Sequence, residues 1–380
     1  MVFLTALIVF PVFVYSAVLM VFRTGLGKQR PERSGDSPKV TVLIAARNED
    51  RNIAKVLGDL RNQTYPSDRV EILIADDHSR DKTAEIVRSC SVQDSRIRLI
   101  PVTVIEPGLT AKKNALTQAL KHATGEIILT TDADCRVLPT WVETMVSYFT
   151  GDVGLVVGYS QFTEAGSLFE KLQTVDFLML MAAAQGTANL GWAWAASGQN
   201  FAYRKTVYDQ VDGYSQIGHR ISGDDVLFLQ LVRKTTRWKV RFAASPDAYN
   251  RTKAEPTLAA LINQRKRWAS NGAYQWKLNK SFFLYVIITF LANLILLLSL
   301  PAGFLWPMSL PYCIGAWILK FLAEGSLFLR ACRLYGRKDL YKTFPAWFLT
   351  QIPYVVFVGI AGTLGGFRWK ERNHTSPEQT

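Results

Sequence analysis

Only four cysteines occur in 380 residues, and Cys90, Cys135, Cys313 and Cys332 show no metal-ligand spacing. That argues against a disulfide scaffold and a thiolate zinc site, and predicts reduced thiols. No internal repeat or low-complexity tract appears, and no nucleic-acid motif accompanies the positive charge. One long stretch, "FLTALIVFPVFVYSAVLMVF" (3–22), carries no charge at all over about the length needed to cross a bilayer. No basic segment precedes it and no small-residue cleavage site follows, so it reads as an uncleaved anchor rather than a signal peptide.

Apolar blocks are what the chain does have. The mean hydropathy of +0.08 averages a polar middle against "FFLYVIITFLANLILLLSL" (282–300), a strong span. Two further stretches, 303–323 and 344–367, are interrupted by Pro307, Pro311 and Lys320, and by Pro345, Pro353 and several glycines. Such breakers fit membrane helices whose neighbours satisfy the freed backbone, and also re-entrant segments. The chain holds 44 Lys and Arg against 31 Asp and Glu, a formal charge of +13. Much of it flanks the apolar blocks: Arg23, Lys28, Arg30 and Arg33 after the first, Lys277 and Lys280 before the second. Arg330, Arg333, Arg337, Lys338 and Lys342 lie between the last two. The positive-inside rule then predicts an integral membrane protein with its central domain in the cytoplasm. If all four blocks crossed, the basic tail would lie outside, so one of the last two is expected not to cross fully.

Between the blocks, strands and helices alternate. "VTVLIAA" (40–46), "VEILIADD" (70–77), "IRLIPV" (97–102) and "GEIILTTDADC" (125–135) read as strands, with helical patterns at 52–63, 81–90 and 111–123. This predicts an α/β domain with a mostly parallel sheet and helices on both faces. Ligands bind such sheets beyond the carboxyl ends of the strands, where Asp76, Asp77, Asp132 and Asp134 fall. Asp132 and Asp134, one residue apart on extended chain, point to one side and suit a hard divalent cation. A solvated turn is the competing reading. In "SGDDVLF", Asp224 and Asp225 either cap the following helix or supply a base, and the two roles are compatible. In "INQRKRWASNG" (262–272), Gln264, Arg267 and Trp268 share one helical face, while Arg265 and Lys266 read as a collar for lipid headgroups. His78 and His219 read as loop residues, and Met179 and Met181 as an apolar face. Trp192 and Trp194 suit either sugar stacking or interfacial anchoring.

The ordered set "VTVLIAARNE", "ADDHSRDKT", "AKKNAL", "GEIILTTDADC", "SGQNFAYRK", "SGDDVLF" and "QRKRW" resembles family 2 glycosyltransferases of the GT-A fold. The nearest branch is the membrane-embedded one with cellulose, chitin and hyaluronan synthases and ceramide glucosyltransferases. The resemblance spans about residues 40–270. It implies inverting transfer from a nucleotide-diphospho-sugar, most often a UDP-sugar, assisted by Mg2+ or Mn2+. It also implies roles. Asp76, with Asp77 beside it and Glu49 lining the pocket, reads the nucleotide base. Lys112 lies near the diphosphate, Asp132 and Asp134 form the metal–diphosphate motif with Asp134 the direct ligand, and Asp225 is the base. Asp224 stands where the family often has Glu. Gln264, Arg267 and Trp268 match the Q-x-x-R-W signature under donor and acceptor, and Gln199 and Asn200 fall where acceptor contacts lie. Two departures stand out: Ala46-Arg47 replaces a Pro-x-Tyr pattern, and Ala111 precedes Lys112 in place of Gly.

The expected organisation is an N-terminal membrane helix (1–24), a basic linker (25–39), a GT-A domain (40–253) and an interfacial amphipathic helix (254–281). Two or three membrane or re-entrant segments (282–367) and a polar tail (368–380) follow. So few segments favour a lipid acceptor hydroxyl over polymer export. A processive polysaccharide synthase is the alternative, and a non-catalytic nucleotide-sugar-binding membrane protein a further one. The expected partners are thus a nucleotide-sugar, a lipid or glycan acceptor and membrane lipids, without nucleic acid. Oligomeric state is left open.

Overall fold

The structure is a computed structural model that describes residues 2–27, 37–163, 166–364, 366–369 and 372–374. Side chains are described for all of these but 2–8, 111, 364, 367–369 and 372–374. Most of the expected basic linker, with Lys28, Arg30 and Arg33, and residues 375–380 of the tail lie outside the described residues. The chain divides into two compact units. One comprises Lys28–Thr163 and Gly191–Lys253, the other Met1–Gly27, Glu164–Leu190 and Ala254–Thr380. Residues 164–190, which the sequence pattern leaves inside the α/β domain, therefore group with the helical unit.

The first unit is built on a seven-stranded sheet. Its strands β1 (Val40–Ala46), β2 (Val70–Asp76), β3 (Ile97–Pro101) and β4 (Ile127–Thr130) are parallel in the order β3-β2-β1-β4. The sheet continues through Phe201–Arg204, antiparallel to its neighbours, then Val153–Gly158 and Lys239–Ala243. The parallel strands are continuous apolar runs because both faces are covered. Six of the seven β1 residues are buried. The helix Ile53–Arg61 shows why the pattern was readable: Ile53, Val56, Leu57 and Leu60 recur on one face, and all four are buried. A small sheet of Arg136–Val137, Asn250–Thr252 and Ser160–Phe162 lies apart from the main one.

The second unit is helical. Among the described residues, three helices are by length and composition able to cross a membrane: Lys280–Leu305, Pro307–Tyr335 and Lys338–Thr363. The first apolar block forms the helix Val2–Gly25, of which Val9–Gly25 counts as a shorter apolar helix. The middle span departs from the expected 303–323. Its α-helix begins at Leu310, with proline in its first turn, and runs to Tyr335. Proline there lacks an N–H that would have no intrahelical partner anyway, so Pro307 and Pro311 start this segment rather than interrupt it. Arg330 and Arg333, which lie between the last two apolar blocks, consequently belong to the helix. Met179 and Met181 are buried in the helix Leu168–Asn189. Past the last long helix, Phe367–Trp369 pairs antiparallel with Arg372–His374.

Candidate active site

The carboxyl ends of β1, β2 and β4 form one edge of the sheet, and Ala46 stands in register with Asp76. The turns leaving β1 and β2 interlock. Asn48 N–H donates to Ser79 Oγ (3.0 Å), Arg80 N–H to Asn48 Oδ1 (2.9 Å), and Glu49 N–H to Thr83 Oγ1 (2.7 Å). Asn48 and His78 both take positive φ, 54° and 59°, which Asn and His tolerate better than most residues. Asp76 Oδ1 accepts from Ser79 N–H at 3.2 Å, and Glu49 Oε2 from Asn52 Nδ2 at 3.0 Å. The departure at Arg47 has a consequence here. Its guanidinium lies 3.5 Å from Asp77 Oδ2 and also donates to the Asp77 carbonyl at 3.3 Å. His78 Nδ1 lies 3.1 Å from the other Asp77 carboxylate oxygen. Asp77 is thus engaged by its neighbours.

Beyond β4 the geometry tightens. Lys112, in the first turn of the helix Ala111–Leu120, sits between two carboxylates, 2.8 Å from Asp132 Oδ1 and 3.0 Å from Asp224 Oδ2. Burial works against its charge, but Asp132 and Asp224 outweigh that and hold the ammonium above its ordinary range. Asp225 caps the helix Val226–Thr235. Its Oδ1 accepts from Val226 N–H at 2.6 Å and its Oδ2 from Gly198 N–H at 2.7 Å. Gly223 makes the turn before the pair with φ 87°, a conformation glycine adopts without penalty. Gly198 serves by its lack of a side chain. A methyl group there would stand 3.3 Å from Asp224 Oδ2 and 3.5 Å from both Asp225 Oδ2 and Lys112 Nζ.

The two adjacent aspartates are driven apart electrostatically. Burial, then the charge of Asp224, pushes the Asp225 carboxyl above the usual carboxylate range against the pull of Val226 N–H, Lys112 and Gly198 N–H. For Asp224, burial also pushes upward, but Lys112 and Lys113 outweigh it and hold the group low. The two carboxylates are thus shifted in opposite directions, the pattern by which neighbouring acids take different roles.

Asp132, Asp134 and Cys135 bring possible ligand atoms within 4.8 Å of one another. The two carboxylates fit a hard divalent cation. Cys135, buried beside them, is a softer ligand less suited to such a cation; burial, then Asp134 and Asp132, push its thiol well above its ordinary range.

The acceptor candidates part company. Gln199 Oε1 is buried without a hydrogen-bond partner. Asn200 is fully buried, accepting from Trp141 Nε1 at 2.9 Å and donating to the Tyr159 and Ala248 carbonyls at 2.9 and 2.8 Å. The expectation that Asn200 contacts an acceptor is therefore corrected, since its amide ties the core together. Trp192 and Trp194 stack on each other with centroids 5.2 Å apart.

In the helical unit, Gln264, Arg267 and Trp268 lie on the helix Leu258–Ala269. Gln264 Nε2 donates to Glu255 Oε1 at 2.6 Å. Arg265 overturns the collar reading. It is buried, its Nη2 lies 2.7 Å from Asp176 Oδ2, and its guanidinium covers the Trp268 ring at 4.2 Å. Lys113 is the residue that sequence reasoning passed over. It is fully buried, and its only signal was a second lysine beside Lys112.

A mostly parallel sheet with acidic strand ends, in a chain whose described residues include helices long and apolar enough to cross a membrane, is the arrangement of a GT-A protein. The family described as Glycosyl transferase family 2 matches residues 41–212, and that described as Glycosyl transferase family group 2 matches residues 127–360. The chain belongs to glycosyl transferase family group 2. It is 28% identical over 264 residues to the β-monoglucosyldiacylglycerol synthase of Trichormus variabilis, covering 68% of this chain and 55% of that protein. It is 27% identical over 282 residues to the poly-β-1,6-N-acetyl-D-glucosamine synthase of Staphylococcus aureus, covering 71% and 65%. The chain thus spans 55% to 65% of the length of these two relatives. In fold it is similar to the mannosyltransferase PcManGT from Pyrobaculum calidifontis in complex with GDP-Man and Mn2+. The TM-score is 0.61 at 20% identity, over 94% of this chain and 98% of that one.

Proposed function

We propose that this chain transfers a sugar from a nucleotide-diphospho-sugar, UDP-sugars first, to the hydroxyl of a lipid acceptor with inversion, from a cytoplasmic catalytic domain. The observation that carries the reading is the arrangement of Lys112, Asp224 and Asp225 at the acidic sheet edge. A lipid alcohol is a poor nucleophile until a base takes its proton as the new bond forms. Asp225 takes that role, its lone pairs oriented by the Gly198 and Val226 amides. Gln199, whose buried Oε1 has no hydrogen-bond partner among the described residues, takes its acceptor role from the resemblance alone. The leaving diphosphate gathers negative charge, which Lys112 offsets, while Asp76, Asp77 and Glu49 hold the nucleotide. Asp134, with Asp132, would hold Mg2+ or Mn2+, which supplies further positive charge to the diphosphate. Gln264, Arg267 and Trp268 take their diphosphate and acceptor roles from the Q-x-x-R-W resemblance alone. A single displacement at the anomeric carbon inverts it without a second catalytic carboxylate.

The lipid acceptor is supported by the similarity to glucosyldiacylglycerol synthases. The similarity to a polysaccharide synthase supports polymer formation as the competing outcome. Mass spectrometry of lipid extracts from cells expressing the protein or Asp225→Asn tests the reading. A hexosyl-lipid present with the former and absent with the latter supports it. Long polymer from the purified protein, with lipids unmodified, refutes the lipid acceptor.

A further inference from the structure

We infer that Lys113 is a positioning residue for this transfer: its buried ammonium latches the segment 218–222 leading to Asp224 and Asp225 and keeps a positive charge beside those carboxylates. The inference rests on the reading of Asp225 as the base. Adjacent residues on a helix point about 100° apart, so the two lysines of "AKKNAL" diverge. Lys112 reaches Asp132 and Asp224, whereas Lys113 turns inward and loses all exposure. Its Nζ donates to the Arg220 carbonyl at 2.5 Å and to the Ser222 carbonyl at 2.8 Å. Thr110 completes the latch. Its hydroxyl lies 2.9 Å from the Arg220 carbonyl and 2.8 Å from the Gly218 carbonyl, to which its N–H also donates at 3.1 Å. Only Gly223 separates the latched Ser222 from the aspartate pair, so the anchor sets where those carboxylates stand.

A fully buried ammonium is an unfavourable choice for a purely structural peg, because desolvation penalises the charge. Burial indeed pushes the Lys113 amine down to about 8, with Asp224 and Asp225 resisting and Arg220 and Lys112 adding to the fall. The phenols near Asp224, Tyr203 and Tyr214, are pushed well up, first by burial, and stay neutral. Lys112 and Lys113 are thus the cations that oppose burial and draw Asp224 low.

The test separates charge from hydrogen bonding. Lys113→Gln keeps a donor without the charge, and Lys113→Arg keeps both. Profiles of kcat/KM against pH are measured for donor turnover with lipid extract as acceptor, with thermal unfolding as the check on folding. Lys113→Gln is expected to move the acid limb upward by about one pH unit, as loss of a neighbouring cation makes a carboxylate harder to ionise. Donor KM should change little, and Lys113→Arg should restore the limb. A Lys113→Gln enzyme with lower activity at every pH and an unmoved limb would reduce Lys113 to a structural peg. If Lys113→Arg fails to fold, the limb of Lys113→Gln decides alone. Wild-type protein that turns over no donor would overturn the transfer reading and this inference together, whereas an unmoved limb in an active enzyme overturns this inference only.

Discussion

Two charged clusters, one in each unit, use the same residue types to opposite ends. In the helical unit Lys320 and Glu324 are buried with their charged ends 2.8 Å apart. Tyr15 OH donates to Glu324 Oε1 at 2.7 Å, Gln351 Nε2 lies 3.0 and 3.2 Å from its two oxygens, and Lys320 Nζ sits 4.9 Å from the Phe348 ring centroid. Both Glu324 oxygens have protein partners, so the cluster ties three apolar helices together. In the sheet unit the numbers do not balance so neatly. Lys112 serves Asp132 and Asp224, Lys113 serves backbone carbonyls, and among the described residues Asp225 has two amides and no ion pair of its own. A fully partnered cluster holds structure; one that leaves a carboxylate short of positive charge is prepared to take a proton.

The contrast breaks most sharply at Asp225. Asp225→Asn should lower kcat about 10²–10⁴-fold, the range for loss of a general base, with the unfolding midpoint nearly unchanged. Lys320→Met should do the reverse, costing about 3–5 kcal/mol of stability by stranding a buried carboxylate. Thermal unfolding in detergent reads this, and adding Glu324→Gln should recover most of the loss. Gly198→Ala inserts a methyl against Asp224, Asp225 and Lys112. Turnover should fall about tenfold to a hundredfold through misplacement of the base, with substrate KM little affected.

The smallest effect sharpens the comparison through pH. If Asp225 is the base it must be ionised to act, and activity is then lost as pH falls through its raised pKa. The acid limb of kcat/KM should therefore lie above the ordinary aspartate value of about 3.9. Asp224→Asn removes the neighbouring anion and should move that limb down by about one unit. An unmoved limb would show that Asp224 does not tune its neighbour.

The sheet was legible because β-branched runs and helical spacing agree with burial, as in Val40–Ala46 and the helix Ile53–Arg61. The motifs named Asp224, Asp225 and Lys112, and the structure places Lys112 3.0 Å from Asp224; their roles rest on the motif resemblance. What escaped depends on partners distant in sequence. Asn200 looks like an acceptor contact until Trp141, Tyr159 and Ala248 consume its amide. Arg265 looks like a collar until Asp176 and Trp268 enclose it. Lys113 looks like a spare surface charge until the carbonyls of Arg220 and Ser222 close over it. Pro307 and Pro311 read as breaks because proline's meaning depends on whether a helix is starting or already under way.

The central claim is that Asp225 is the base of a sugar transfer. Its most direct test is release of nucleoside diphosphate from UDP- and GDP-sugars by the purified protein with lipid extract as acceptor. Wild type should release it with at least one donor, and Asp225→Asn, folded and still binding that donor, should not. Equal release by the two proteins would contradict the account.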